Sequence, residues 1–238
     1  MRSTQQQARF AGLLYLLLAL SAPLGLLYVP GKLMVPGNAT ATADNVRAYE
    51  SLIRIGIASE LVHQTIAVFL VLALYRLFKA VDEALAKQVV ILGALLSVPI
   101  MFINVLNEIA AQTLVSGADF LSVFEKPQLD ALAYLFLRLH GQGVTVASIF
   151  WGLWLFPFGL LVIRSGFIPR VFGVLLIIAG VGYLVSSFTT LVLPRYAELV
   201  SKIALPLQFA EVPIIFWLLI WGARRRPTDV PASVASGS

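Results

Sequence analysis

Apolar residues in this chain run in blocks longer than one amphipathic face of a soluble helix requires. At a rise of 1.5 Å per residue, about 20 mostly apolar residues cross a bilayer. Six blocks reach that length, at about 10–29, 52–75, 88–113, 131–163, 167–193 and 199–223. Turn signals separate them: VPGK and VPGN around Pro30 and Pro36, SGAD at 116–119, RSGFIPR at 164–170 and LPRY at 193–196. No block alternates with period two, as a membrane β-barrel requires. The pattern predicts an all-α integral membrane protein, a six-transmembrane-helix bundle, as a single domain over residues 1–226. The small, polar tail at 227–238, PTDVPASVASGS, is expected to be disordered.

Composition agrees. Of 238 residues, 59% are hydrophobic and 12% charged, against about 45–50% and about 25% in ordinary soluble domains. A net charge of +5 raises the question of nucleic acid, but the basic residues are scattered between apolar blocks. Their one cluster, Arg224 to Arg226, directly follows the last block and reads as an anchor on anionic lipid. The partner is therefore the lipid bilayer, not nucleic acid. Cysteine is absent, which excludes disulfides, thiolate nucleophiles and cysteine-ligated metal. Arg2, Arg9, Arg76, Lys79, Lys87, Arg164, Arg170 and Arg224 to Arg226 fall on one side, ten in all. Lys32, Arg47, Arg54, Lys126, Arg195 and Lys202, six in all, fall on the other. The positive-inside bias then puts both termini in the cytoplasm. The first block has a second reading as a cleavable signal peptide. Its apolar run continues past Ala22 as PLGLLYVP, long enough to span, which favours a retained helix.

Depth can be counted from the basic residue at the cytoplasmic end of each span. Glu60 and His63 come out about 24 and 20 Å above Arg76, and Asn104 and Glu108 about 26 and 32 Å above Lys87. Ser186 to Thr190 lie about 24–30 Å above Arg170, and Glu211 and Gln208 about 20 and 24 Å above Arg224. Arg138 and His140 fall at about 36–39 Å, at the outer mouth unless the fourth helix tilts. Spacing adds direction. Glu60, His63 and Gln64 share one helix face at i, i+3, i+4; so do Asn104, Asn107 and Glu108, and Ser186, Thr189 and Thr190. Polar stripes of this period turn away from lipid and towards one another. Pro206 and Pro213 flank Gln208 and Glu211 and free backbone carbonyls there.

These placements predict a polar pocket open to the external face. Glu60, His63, Gln64, Asn104, Asn107, Glu108, Gln208 and Glu211 would line it, with Arg138 and His140 at its mouth. Three carboxylates with one fixed cation nearby must take protons or find a cation. His63, His140, a metal or a cationic ligand could serve. Glu60-Leu-Val-His63 has the spacing of a di-iron bundle, but the second such pair is missing. A mixed site of His63, His140, Glu108 and Glu211 would suit zinc or another divalent ion. Hydrogen bonding of Glu60 and His63 to Asn104 or Gln208 is the competing structural reading, and structural or ligand-facing roles are favoured over metal. The count separates the two histidines by about 16 Å, which argues against a bis-histidine haem. Gly143 to Ala147 and Gly93–Ser97 read as close helix packing. Trp151, Trp154, Trp217 and Trp221 read as belt or lipid-packing residues. Asn38-Ala39-Thr40 matches a glycosylation sequon.

RFAGLLYLLL at 9–18, SGADFLSVF at 116–124 and SGFIPRVFGVLLIIAGVGYLVSSF at 165–188 resemble the bacterial Domain of Unknown Function 4386 family, from Arg9 to about Gly222. The resemblance implies a six-helix protein of the bacterial cytoplasmic (inner) membrane with its first helix retained. It carries over no activity or cofactor. The resulting expectation is binding of a small molecule, lipid headgroup or cation. A metal-dependent intramembrane enzyme with His63 as a ligand, and a structural or accessory protein with no ligand, are the alternatives. Transport ranks below binding, because no polar stripe continues to the cytoplasmic side. Cofactor and oligomeric state stay unknown.

Overall fold

The computed structural model describes residues 4–223. Arg2, the Arg224–Arg226 cluster and the tail expected to be disordered lie outside the described residues. Among the described residues the secondary structure is entirely helical. Six helices are long and apolar enough to cross a membrane: Thr4–Leu33, Glu50–Phe78, Glu83–Val115, Lys126–Ser165, Arg170–Val192 and Pro194–Ile220. They match the six apolar blocks one for one. Each span packs against its neighbour in sequence, and the first also packs against the end of the sixth. The six therefore close into a ring.

Local chemistry sets where the spans begin and end. Asp82 caps the third span by accepting from the Leu85 amide at 3.1 Å. Glu125 and Gln128 form a reciprocal capping box at the start of the fourth. Gly117 and Gly166 supply the left-handed conformations, φ 77° and 70°, that end the third and fourth spans.

The spans are not uniform cylinders, and each irregularity lies four residues before a proline. A proline lacks the amide that would bond to that residue, and its ring crowds the carbonyl there. Pro30 and Pro99 act on Leu26 and Leu95, which sit in widened π turns at Leu24–Tyr28 and Ile91–Leu96. Pro157 acts on Leu153, where the first helix of the fourth span, Lys126–Leu153, gives way to Leu155–Ser165. Pro213 acts on Phe209, the start of a 3₁₀ turn, Phe209–Glu211.

Two apolar clusters leave a polar layer between them. At the end carrying Arg9, Arg76 and Arg164, hereafter the basic end, Leu74, Phe78, Leu155, Phe158 and Leu161 pack into the larger one. Arg9 ties the first span to the sixth by donating to the Ile220 carbonyl at 3.0 Å. Arg164 pairs with Asp82 at 2.6 Å. At the opposite end Val29, Leu33, Val46, Ile53, Ala111, Ala133 and Leu137 form the smaller cluster. Over it lies a short helix, Ala39–Ala48, where the sequence showed only a connection. Asn38 of the sequon is its cap and accepts from the Ala41 amide at 2.9 Å. Arg47 of this helix and Lys126 both pair with Asp130, whose side chain is buried. That network fixes the short helix to the fourth span.

Candidate functional site

The polar layer divides into two sites instead of forming one pocket. The first is a cavity of about 580 Å³ inside the ring, to which all six spans contribute. Glu211 stands on one wall. Tyr15 of the first span donates to its Oε2 at 2.9 Å, and Tyr183 of the fifth donates to its Oε1 at 3.0 Å. The 3₁₀ turn ahead of Pro213 presents this carboxyl group to both phenols. Across the cavity His63 places Nδ1 3.0 Å from Ser21 Oγ and 3.1 Å from the Leu18 carbonyl. Trp151 meets the His63 ring edge-on, and Trp154 stacks on Phe158. Gln64 also lines the cavity. It is 1% exposed, yet neither its amide oxygen nor its nitrogen has a hydrogen-bond partner among the described residues. Such a group ordinarily costs about 1–3 kcal/mol.

The cavity's opening is lateral. Leu27 of the first span and Leu205 and Phe209 of the sixth line it while remaining exposed. The first span packs on the last turns of the sixth, Val212–Ile220, whereas the outer half, Ala197–Gln208, packs on the fifth. The gap between the first and sixth spans therefore faces the apolar girdle of the ring.

The second site is a closed cluster between the second, third and fourth spans. Glu60, Glu108 and His140 are all buried, and one ligand atom from each lies within 4.8 Å of the others. His140 Nε2 is 3.1 Å from Glu60 Oε2, and its Nδ1 is 3.9 Å from Glu108 Oε1. Asn104 donates to the His140 carbonyl at 2.9 Å and accepts from Asn107 at 3.1 Å. Two glycines make the space. A Cβ on Gly143 would fall on the Asn104 amide, and one on Gly25 would come within 2.7 Å of Glu60 Cγ.

The structure thus brings Glu60, Asn104, Asn107, Glu108 and His140 together, and separately gathers His63, Gln64, Gln208 and Glu211 around the cavity with Ser186 and Thr190. Arg138 joins neither and is exposed. The zinc set of His63, His140, Glu108 and Glu211 does not assemble, because its members are shared between two sites. The depth count set His140 well above Glu60, and the structure corrects this too. The break before Pro157 and the π turn before Pro99 alter the direction and rise of the spans, so a straight 1.5 Å count fails. Trp151 and Trp154, read as lipid-facing, stand on the cavity wall. Glu60 and His63 bond to His140 and Ser21, not to Asn104 or Gln208 as the structural reading expected. Tyr15 and Tyr183 carried no sequence signal, since an isolated tyrosine in an apolar span is unremarkable until its partner is known. Gly93 and Ser97 do serve close packing, with Gly93 against Val71 and Trp154.

No solved structure matches the chain. An uncharacterized protein of Archaeoglobus fulgidus is 37% identical over 76 residues, which are 32% of this chain and 44% of that relative. The chain thus spans less than half the length of this curated relative. The family described as a domain of unknown function (DUF4386) matches residues 10–222, nearly the whole chain, and the chain belongs to that family.

Proposed function

We propose that this protein binds an amphipathic small molecule within the ring of spans. Its polar head would sit against Gln64, His63, Gln208 and Glu211, and its apolar part would reach the gap beside Leu27, Leu205 and Phe209. The unpartnered, buried amide of Gln64 carries this reading. Gln64 stands in the cavity wall with both amide atoms buried and unbonded, and a rotation of its side chain would offer them to a ligand. The volume supports it, because about 580 Å³ lies within the roughly 300–1,000 Å³ typical of small-molecule sites. The gap between the first and sixth spans favours a ligand that arrives through lipid over one that enters from the external face. In this reading residues 1–226 act as one domain in the cytoplasmic membrane of a bacterium, both termini lie inside, and the cavity meets the outer leaflet. The charge bias between loops supports that orientation.

The test is organic extraction of the purified full-length chain followed by mass spectrometry. One amphiphile class is expected to be enriched over its share of the source membrane. Gln64→Leu, of similar size, should lower that enrichment by about ten-fold, the equivalent of about 1.4 kcal/mol, while the protein stays folded. An extract that mirrors bulk lipid, or one unchanged by Gln64→Leu, overturns the proposal.

A further inference from the structure

The closed cluster makes no use of the cavity and has a chemistry of its own. Two carboxylates and an imidazole from three different spans meet where side-chain exposure is 1–5%. Each carboxyl group uses one oxygen towards His140. Glu60 Oε1 and Glu108 Oε2 are buried without a hydrogen-bond partner among the described residues. Hydrogen bonding inside the protein therefore leaves both acids incompletely satisfied, in a low-dielectric setting where such oxygens are costly.

We propose that Glu60, Glu108 and His140 form a binding site for one divalent first-row transition ion, of the Zn²⁺ or Mn²⁺ type. Charge supports it: two carboxylates and a 2+ ion sum to zero, and a neutral centre is far less costly to bury than two anions. Donor chemistry narrows the ion. Imidazole with carboxylate suits zinc, manganese or iron, whereas calcium and magnesium take oxygen ligands. Geometry is compatible. Ligands held about 2.0–2.2 Å from zinc lie roughly 3.4 Å apart in a tetrahedron. His140 Nε2 and Glu60 Oε2 already stand 3.1 Å apart. Glu108 faces the other ring nitrogen, Nδ1, so binding at Nε2 requires it to swing to that edge, and its second oxygen has no hydrogen bond that opposes the move. Three protein ligands leave a fourth position for water or a bound molecule, as in catalytic zinc sites. Asn104 holds the backbone of His140 and is a positioning residue. Gly143 and Gly25 keep the close approach possible. On the same spans, Ile53, Ala133 and Leu137 belong to the smaller buried apolar cluster on the side away from the basic end.

The experiment loads the purified full-length protein with ZnCl₂, MnCl₂ or CaCl₂ in separate arms, removes excess ion, and measures metal per chain by elemental analysis. Zn²⁺ or Mn²⁺ should bind at about one per chain and raise the unfolding temperature, as any ligand specific to the native state does. CaCl₂ should not. Glu108→Gln and His140→Ala should each weaken binding by more than the roughly 10–100-fold that outer-shell partners contribute. His63→Ala, Glu211→Gln and Gln64→Leu should leave it unchanged, because those residues belong to the cavity. Gln64→Leu keeps the two readings apart, since it removes the amphiphile and spares the metal. Failure to retain stoichiometric Zn²⁺ or Mn²⁺ overturns the site. So does retention that is equal in Glu108→Gln and His140→Ala proteins verified as folded by helicity and gel filtration.

Discussion

Glu211 is held by two phenols from two other spans, one on each carboxyl oxygen. An intramolecular hydrogen bond contributes about 0.5–1.5 kcal/mol net, and leaving a buried polar atom without one costs about 1–3 kcal/mol. Tyr15→Phe and Tyr183→Phe should therefore each lower stability by about 1–3 kcal/mol, measured by denaturant unfolding in detergent. The double substitution should lose more than the two separate losses together, because only then does the carboxyl group lack any donor. Strict additivity would mean that the phenols do not share Glu211 as a common partner. Gly141 and Gly143 offer a second contrast within one helix. A Cβ at Gly141 meets nothing within 4 Å, whereas one at Gly143 lands on the Asn104 amide. Gly141→Ala should be neutral or stabilise by up to about 1 kcal/mol, through helix propensity alone. Gly143→Ala should cost about 1–3 kcal/mol, because Asn104 must leave the His140 carbonyl to make room. Equal effects would remove Asn104 from its positioning role.

At the scale of elements, the short helix Ala39–Ala48 depends on contacts distant in sequence. Its net attachment runs through Arg47 to Asp130, a buried carboxylate that Lys126 also engages. Asp130→Ala should release it. Hydrogen exchange over 39–48 should accelerate by about ten-fold or more, equivalent to about 1.4 kcal/mol, while exchange in the basic half of the bundle stays slow. Unchanged protection would show that apolar packing of Val46 suffices without the ion pairs. The contrast between this helix and the spans shows what the sequence made legible. The six spans needed only length and apolarity, which are one-dimensional properties. The short helix has one large apolar residue, Val46, and is tied down through Asp130, more than 80 positions away. The sites were legible to the same limited degree. Helical spacing correctly put Glu60 and Gln64 on one face, four residues apart. It could not show that one turn separates a closed cluster from an open cavity, since that depends on how each span is rotated and bent. The prolines were visible in the sequence, but their consequences for depth were not, because a proline can kink, widen or break a helix and the sequence does not say which.

At the scale of the whole molecule, the polarity of the ring decides which leaflet the cavity meets. The ring has polarity: basic residues Arg9, Arg76, Lys79, Lys87, Arg164 and Arg170 gather at one end. The lateral gap lies in the other half, beside Leu27 and Leu205. In the proposed positive-inside insertion the basic end is cytoplasmic and the gap opens to the outer leaflet. Because the chain contains no cysteine, a single introduced thiol reports its side without background. Thr40 in the short helix and Lys79 at the basic end are both exposed. In intact cells a membrane-impermeant maleimide should label Thr40→Cys fully and leave Lys79→Cys unlabelled until lysis. The reverse pattern would turn the ring over, and the amphiphile would then come from the inner leaflet. Labelling of both before lysis would contradict a six-span crossing altogether, since an odd number of crossings must separate these two positions.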